Sequence, residues 1–222
     1  MRSISNVSVV DLRKFKRASE LKEIEKIFSC AMVIFPAETD EEMREVISNI
    51  SISDVAHVEY LKDDVEVAVR NGACFLTPHD FKEDGKTYIV VNGVCVISRQ
   101  AAGAHGKLAV NGVLITPEDT ELETVLVNGV RYFREADNAL FYENKIFITK
   151  QLLYYLKPNT VIISGNKLIM DRDITDEDLE KCTATFVSSN KIVCTQEQYY
   201  YLVVHAIAGN KIVVDDSACE IN

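Results

Sequence analysis

A chain of 222 residues that is 47% hydrophobic is long enough to bury a core of its own, as one large domain or two small ones. Its formal net charge of −10 at pH 7 sets it against nucleic acid and anionic membrane surfaces, both of which would repel it at long range. No apolar run approaches the roughly 18 residues of a spanning helix, and "MRSISNVSVVDLRKFKRASEL" holds no uninterrupted apolar stretch, so a cytoplasmic protein without membrane insertion is expected.

Residues 1–28 are expected to form an N-terminal helical cap. The one basic cluster, "RKFKR" from Arg13 to Arg17, reads as a solvated face. Ser19 then stands as an N-cap ahead of Leu21, Ile24, Ile27 and Phe28, which fall along one side of a helix. Such a helix could cover the open end of the remaining chain.

Residues 29–222 carry a repeat. Asparagines recur at Asn71, Asn92, Asn111, Asn128, Asn144, Asn166, Asn190 and Asn210, at spacings of 16 to 24 residues. The positions three before, two after and four after each Asn are apolar in all eight copies. Cys30 fits the same frame between Ile27 and Met32, and "ISNISISDVAHVEYL" is an imperfect further copy, so 29–62 are read as irregular first copies. Gly follows the Asn in the copies over 63–134 and Lys follows it over 135–215, leaving a C-terminal tail at 216–222.

Asn-Gly between strands is a hairpin signal, because a type I′ turn needs positive φ at both central residues. Lys tolerates that poorly, at about 1 to 2 kcal/mol in the left-handed region. An Asn kept for its side chain, stacking copy upon copy as a structural ladder, serves both sets. Thr39, Thr116, Thr175 and Thr195 each precede a short polar segment with a helix N-cap pattern. Helical turns between strands imply crossovers, hence parallel strands. The expected fold is a single elongated α/β solenoid of stacked parallel strands with short helices or loops between them; an all-β solenoid or an array of β-hairpins is the alternative.

"VIISGNKLIM", "TFVSSNKIVC" and "HAIAGNKIVV" pair an apolar residue three before Asn with another two after it. In this the chain resembles the leucine-rich-repeat family over roughly Cys30 to Val214, which implies strands on one side of a solenoid and helices or loops on the other. Val and Ile largely replace the family's leucines, and the shortest copies fall below its usual unit. A purely β solenoid similar to the bactofilin filament proteins therefore stays open.

Complete catalytic or cofactor motifs are missing. "AAGAHGK" has Ala101 and Leu108 where a phosphate loop needs Gly and Ser/Thr. "DRDITDEDLE" has Asp176 and Cys182 where a calcium loop needs Gly and Glu. His57, His79, His105 and His205 are scattered, and the six cysteines lack zinc spacing. Cys74 and Cys95 occupy equivalent places in successive copies, which would bring them onto neighbouring strands. "LLYYL" and "QYYYLVV" supply a candidate aromatic docking patch of Tyr154, Tyr155, Tyr199, Tyr200 and Tyr201. The position four before each Asn would form an outward stripe, with Tyr88, Leu140, Ile162 and Phe186 as candidate partner-binding residues. The expectation is a non-enzymatic protein-binding or scaffolding module without metal or cofactor. Its partner would be another protein or a second copy, and a self-assembling structural protein is the alternative.

Overall fold

The computed structural model describes residues 2–219, apart from the side chains of Thr124, Val125 and Cys219. Parallel strands dominate it, arranged in three short stacks. In the first, β1 (Arg2–Ser5) and β2 (Val9–Asp11) form one broken rung, β3 (Ile24–Pro36) the next and β4 (Ser51–Leu61) the last. The helices α1 (Ala18–Leu21) and α2 (Glu41–Ser48) lie in the crossovers. The second stack is β5 (Glu66–Leu76), β6 (Thr87–Ile97), β7 (Lys107–Thr116) and β8 (Glu123–Phe133), paired in that order.

In the third stack every rung is two short strands. β9 (Asn138–Tyr142) leads to β10 (Lys145–Ile148), and β11 (Thr160–Ser164) to β12 (Lys167–Met170). β13 (Thr185–Ser188) leads to β14 (Lys191–Cys194), and β15 (Ala206–Ala208) to β16 (Lys211–Val214). The crossovers carry α3 (Lys150–Tyr155), α4 (Asp176–Lys181) and α5 (Gln196–His205).

The Asn residues mark where each rung bends. Strands β5 to β8 pair in register through Asn71, Asn92, Asn111 and Asn128, and Gly72, Gly93, Gly112 and Gly129 pair beside them. All four glycines have positive φ while the asparagines do not, so the chain turns a corner instead of reversing. A Cβ on Gly112 would lie 2.1 Å from the Gly93 carbonyl oxygen, which excludes any side chain there. In the third stack neither residue of the Asn-Lys pairs has positive φ, which is why Lys is tolerated. The first stack places Asn6, Ser29 and Asp54 at its corner, each at φ between 53° and 57°.

Strict alternation along a strand then decides what each stack touches. In β6, Ile89, Val91, Cys95 and Ile97 point into the second stack's own core. Tyr88 and Val90 point the other way, onto Met32 and Ile34 of the first stack and Leu61 at its end. Val94 and Val96 meet Val161, Ile163, Val187 and Ile207 of the third stack. Both faces of the central rungs are thus buried, and these strands read as continuous Val/Ile runs, as parallel strands covered on both sides do. Arg13 ties the first junction: its guanidinium grips Asp11 at 2.7 Å and donates to the carbonyls of Lys62 and Val65 at 2.7 and 2.8 Å.

Several expectations need correction. The solenoid is not one elongated array but three short ones packed side by side. Residues 1–28 do not form a helical cap: β1, β2 and the start of β3 lie in the segment, and the helix is the single turn α1. Ile24 and Ile27 face a core from within β3, because pairing with β1, and for Ile27 also with β4, outweighs a helical pattern of apolar residues. Thr116 caps no helix; it ends β7 and hydrogen-bonds Thr120 through its hydroxyl. Helix α2 is capped by Asp40 and not Thr39. Thr175 and Thr195 do cap α4 and α5, each closing a reciprocal capping box. The tail at 216–222 begins as a 3-10 turn over Asp216–Cys219, and its last three residues lie outside the described ones.

Gly112→Ala should be destabilising by about 1 to 3 kcal/mol from backbone strain alone, with the steric clash in addition. Ala at Gly103, which has open space around it and no positive φ, should be nearly neutral. Urea unfolding of the two variants checks the contrast.

Candidate interaction surfaces

The two asparagine columns are hydrogen-bonded side chain to side chain. In the second stack the Nδ2 of Asn92 donates to Asn71 Oδ1 at 2.9 Å, Asn111 to Asn92 at 3.0 Å and Asn128 to Asn111 at 3.4 Å. The third stack repeats this from Asn166 to Asn144 at 3.0 Å, Asn190 to Asn166 at 2.9 Å and Asn210 to Asn190 at 3.4 Å. Each interior amide spends one donor and one acceptor on the column, the end amides only one or the other, and the rest is kept for solvent or a ligand. Asn92, Asn111 and Asn128 also line an open groove of about 680 Å³ against the first stack's corner, with Asn6, Ser29 and Asp54 opposite.

A charged cluster bridges the first two stacks. Glu59 of β4 takes His57 Nε2 at 2.8 Å on one oxygen and Lys107 Nζ of β7 at 2.9 Å on the other. Burial alone would raise the Glu59 pKa; the hydrogen bonds from Lys107 and His57 outweigh it and hold the carboxyl below its ordinary value of 4.5. Lys107 is correspondingly raised, chiefly by its bond to Glu59. The hydroxyl of Tyr88 is buried without a hydrogen-bond partner, and burial, with Glu59 and Glu123 nearby, pushes its pKa up. Sequence spacing could not find this cluster, since Glu59 meets Lys107 only after two stacks have packed together.

The expected outward stripe does not face outward. Tyr88 is sealed between the first two stacks, while Ile162 and Phe186 are buried inside the third with Leu140 packed against them. The inside and outside positions exchange between the Asn-Gly and Asn-Lys copies. Ile89, three before its Asn, faces its own core, whereas Ile163, also three before, faces the neighbouring stack.

The tyrosines divide. Tyr199 and Tyr201 pack partly against the third core, and Tyr201 stacks on His205. Tyr154, Tyr155 and Tyr200 are 82%, 72% and 71% exposed, and Val203 and Val204 stand out on α5 beside them in sequence. The helices that carry them are firmly seated. Leu153, Leu179 and Leu202 enter the core, Lys150 of α3 reaches Asp178 of α4 at 2.7 Å, and buried Gln198 donates to the carbonyls of Asp171 and Ile174. A groove of about 370 Å³ runs between α3 and α4, with Tyr154 on its rim.

Among the described residues there is no group of three or more His, Cys, Asp or Glu placed to hold a metal ion, and no helix long and apolar enough to cross a membrane. Comparison with known proteins found no matching family model, no similar curated protein and no similar solved structure.

Two measurements probe these surfaces. Asn111→Ala removes two amide bonds and Asn128→Ala one, at roughly 1 kcal/mol net each. The first should therefore lower the urea-derived stability about twice as much as the second. Because the folded pKa of Glu59 lies below its unfolded value, its stabilisation is complete above the unfolded pKa and is lost as pH falls through the folded one. Glu59→Gln should be less stable than the parent at neutral pH, and the gap should narrow in acid.

Proposed function

We propose that the protein is a non-catalytic scaffold that binds another protein through the helical side of its third stack. The observation that carries this is the trio Tyr154, Tyr155 and Tyr200, held out to solvent on helices whose other faces are locked into a core. Large aromatic side chains on a rigid support lose little conformational freedom on docking, and Tyr is enriched at recognition surfaces. With Val203 and Val204 they add apolar area that the fold itself does not use. The leucine-rich-repeat resemblance points to the same role by analogy of architecture only.

The second reading is self-assembly through the open ends of the stacks. Exposed large apolar side chains on the long strands gather on end rungs: Ile52, Val58 and Tyr60 on β4, Val69 on β5, and Val130 and Phe133 on β8. Setting β8 of one copy on β5 of the next in the same register would bring Asn128 beside Asn71, Val130 beside Ala73 and Tyr132 beside Phe75. Unprotected strand edges invite such pairing.

The two readings part in one experiment. The scaffold should keep a constant mass by light scattering across a wide range of concentration, and Tyr154→Ser with Tyr155→Ser and Tyr200→Ser should abolish capture of its partner without shifting the melting curve. Mass that grows with concentration and collapses in Val130→Lys would favour assembly. Partner capture unaffected by the tyrosine variant would overturn the proposed face.

A further inference from the structure

Cys74 and Cys95 are paired residue for residue across β5 and β6, as neighbours in a parallel ladder. Strands at that spacing lie about 4.8 Å apart, inside the roughly 4.4 to 6.8 Å between Cα atoms that a disulfide accepts. Both side chains point into the second stack's core. The next residue in the column is Leu114, so the thiols form an isolated pair. Each of the five cysteines with described side chains is a free thiol.

The two sulfurs are not equivalent. β5 is the end strand of its stack, and Cys74 is only partly buried, whereas Cys95 is fully enclosed. Arg70 lies on the same strand near Cys74, 3.6 Å from Asp80 in the turn after β5. Contact with the Cys95 thiol holds the Cys74 pKa below the ordinary thiol value, with Arg70 helping against burial; the same contact and burial push Cys95 up. One partly exposed thiol beside a fully shielded second thiol is the arrangement of an attacking and a resolving cysteine.

We propose that Cys74 and Cys95 are a reversible redox modification site that takes a peroxide as oxidant and closes into an intrachain disulfide between the first two rungs of the second stack. The Cys74 thiolate attacks a peroxide oxygen, so that an S–O bond forms, the O–O bond breaks and hydroxide leaves to be protonated to water. Cys95 then attacks the Cys74 sulfur. The S–S bond forms, the S–O bond breaks, and the hydroxyl leaves as a second water with the Cys95 proton. Two thiols and one hydrogen peroxide give one disulfide and two waters, and a dithiol reductant reverses the outcome by exchange. The bond would fasten an end strand that otherwise has a neighbour on one side only.

The test is hydrogen peroxide titration of the folded, full-length chain, with peptide mass mapping before and after dithiothreitol. The expected product has lost two hydrogens, links the Cys74 and Cys95 peptides and is restored by reductant. Cys95→Ser should stop at a Cys74 sulfenic acid that dimedone traps, and Cys74→Ser should give neither adduct nor link; circular dichroism confirms that both variants fold. A link that appears only after urea unfolding, a preferred bond to another cysteine, or a Cys95→Ser chain whose Cys74 is not trapped would overturn the proposal.

Discussion

Every rung must bend at the residue above which the previous rung bent. Parallel strands in register hold their backbones about 4.8 Å apart, so a corner one residue out of step would break the ladder and turn inward-facing side chains outward. The second stack meets this constraint with an Asn-Gly pair in all four rungs. Gly supplies a backbone conformation that side chains forbid, and the carbonyl of one Gly occupies the space where the next would have carried a Cβ. Asn supplies an amide that bonds its counterpart above and below. The third stack splits its rungs instead, with Gly165 and Gly209 ahead of the Asn and hydroxyls from Ser164 and Ser188 bonding carbonyls of the previous rung. Two different corners have the same amide column in common, which identifies the column as the invariant part of the design.

Once the corners coincide, the rungs present three apolar surfaces: the inside of the bend and the outer face of each arm. The inside is covered by the stack's own crossovers, through Ala101 and Leu122 in the second stack and Leu153, Leu179 and Leu202 in the third. The outer faces need another stack, and the chain provides one on each side of β5 to β8. The stacks are therefore interdependent, since Tyr88 would be exposed without the first stack and Val161 without the second. Exposure is left at the ends of the stacks and on the helical side, which is why both readings of function rest there.

The asparagine spacing gave the positions of the rungs in the second and third stacks, because a side chain kept for an axial hydrogen bond recurs whatever surrounds it; in the first stack the corner falls on Asn6, Ser29 and Asp54 and not on Cys30. Which side of a rung faces inward was not legible. Ile162 and Ile163 are both apolar and both buried, one in its own core and one against a neighbour, so hydrophobicity carries no sign that separates them. The outward stripe failed for that reason. The N-terminal cap failed because Ile24, Ile27 and Phe28 satisfy a helical period over one turn, while the strands that pair with them lie in residues 2–5 and 51–61, distant in sequence. The tyrosine clusters were visible as composition, but their division into supporting and exposed rings depends on how each short helix is rotated on the core. The cluster of His57, Glu59 and Lys107 depends on a junction between stacks that no local pattern announces.

The array also has reasons to stop at three stacks. By the alternation that puts Ile4 and Ile27 against the first core, the outer face of the first stack's leading arm carries Ser3, Ser5, Lys26, Phe28, Ser51 and Ser53. A face rich in hydroxyls has little to gain from a further stack, whereas the equivalent face of the second stack is built from Tyr88 and Val90. At the other end, the trailing arm of the third stack does have apolar outer residues, Phe147, Ile169, Val193 and Val213, and the chain's own turn lays Ala218 over them. Lys145, Lys167, Lys191 and Lys211 align in one column beside that apolar row, and like charges at strand spacing disfavour a dry interface there. Growth sideways is thus blocked by serines at one end and by a covering turn and a lysine column at the other. Among the described residues, exposed large apolar side chains are left on the rung ends and the tyrosine-bearing helices, the surfaces on which both proposed functions rest.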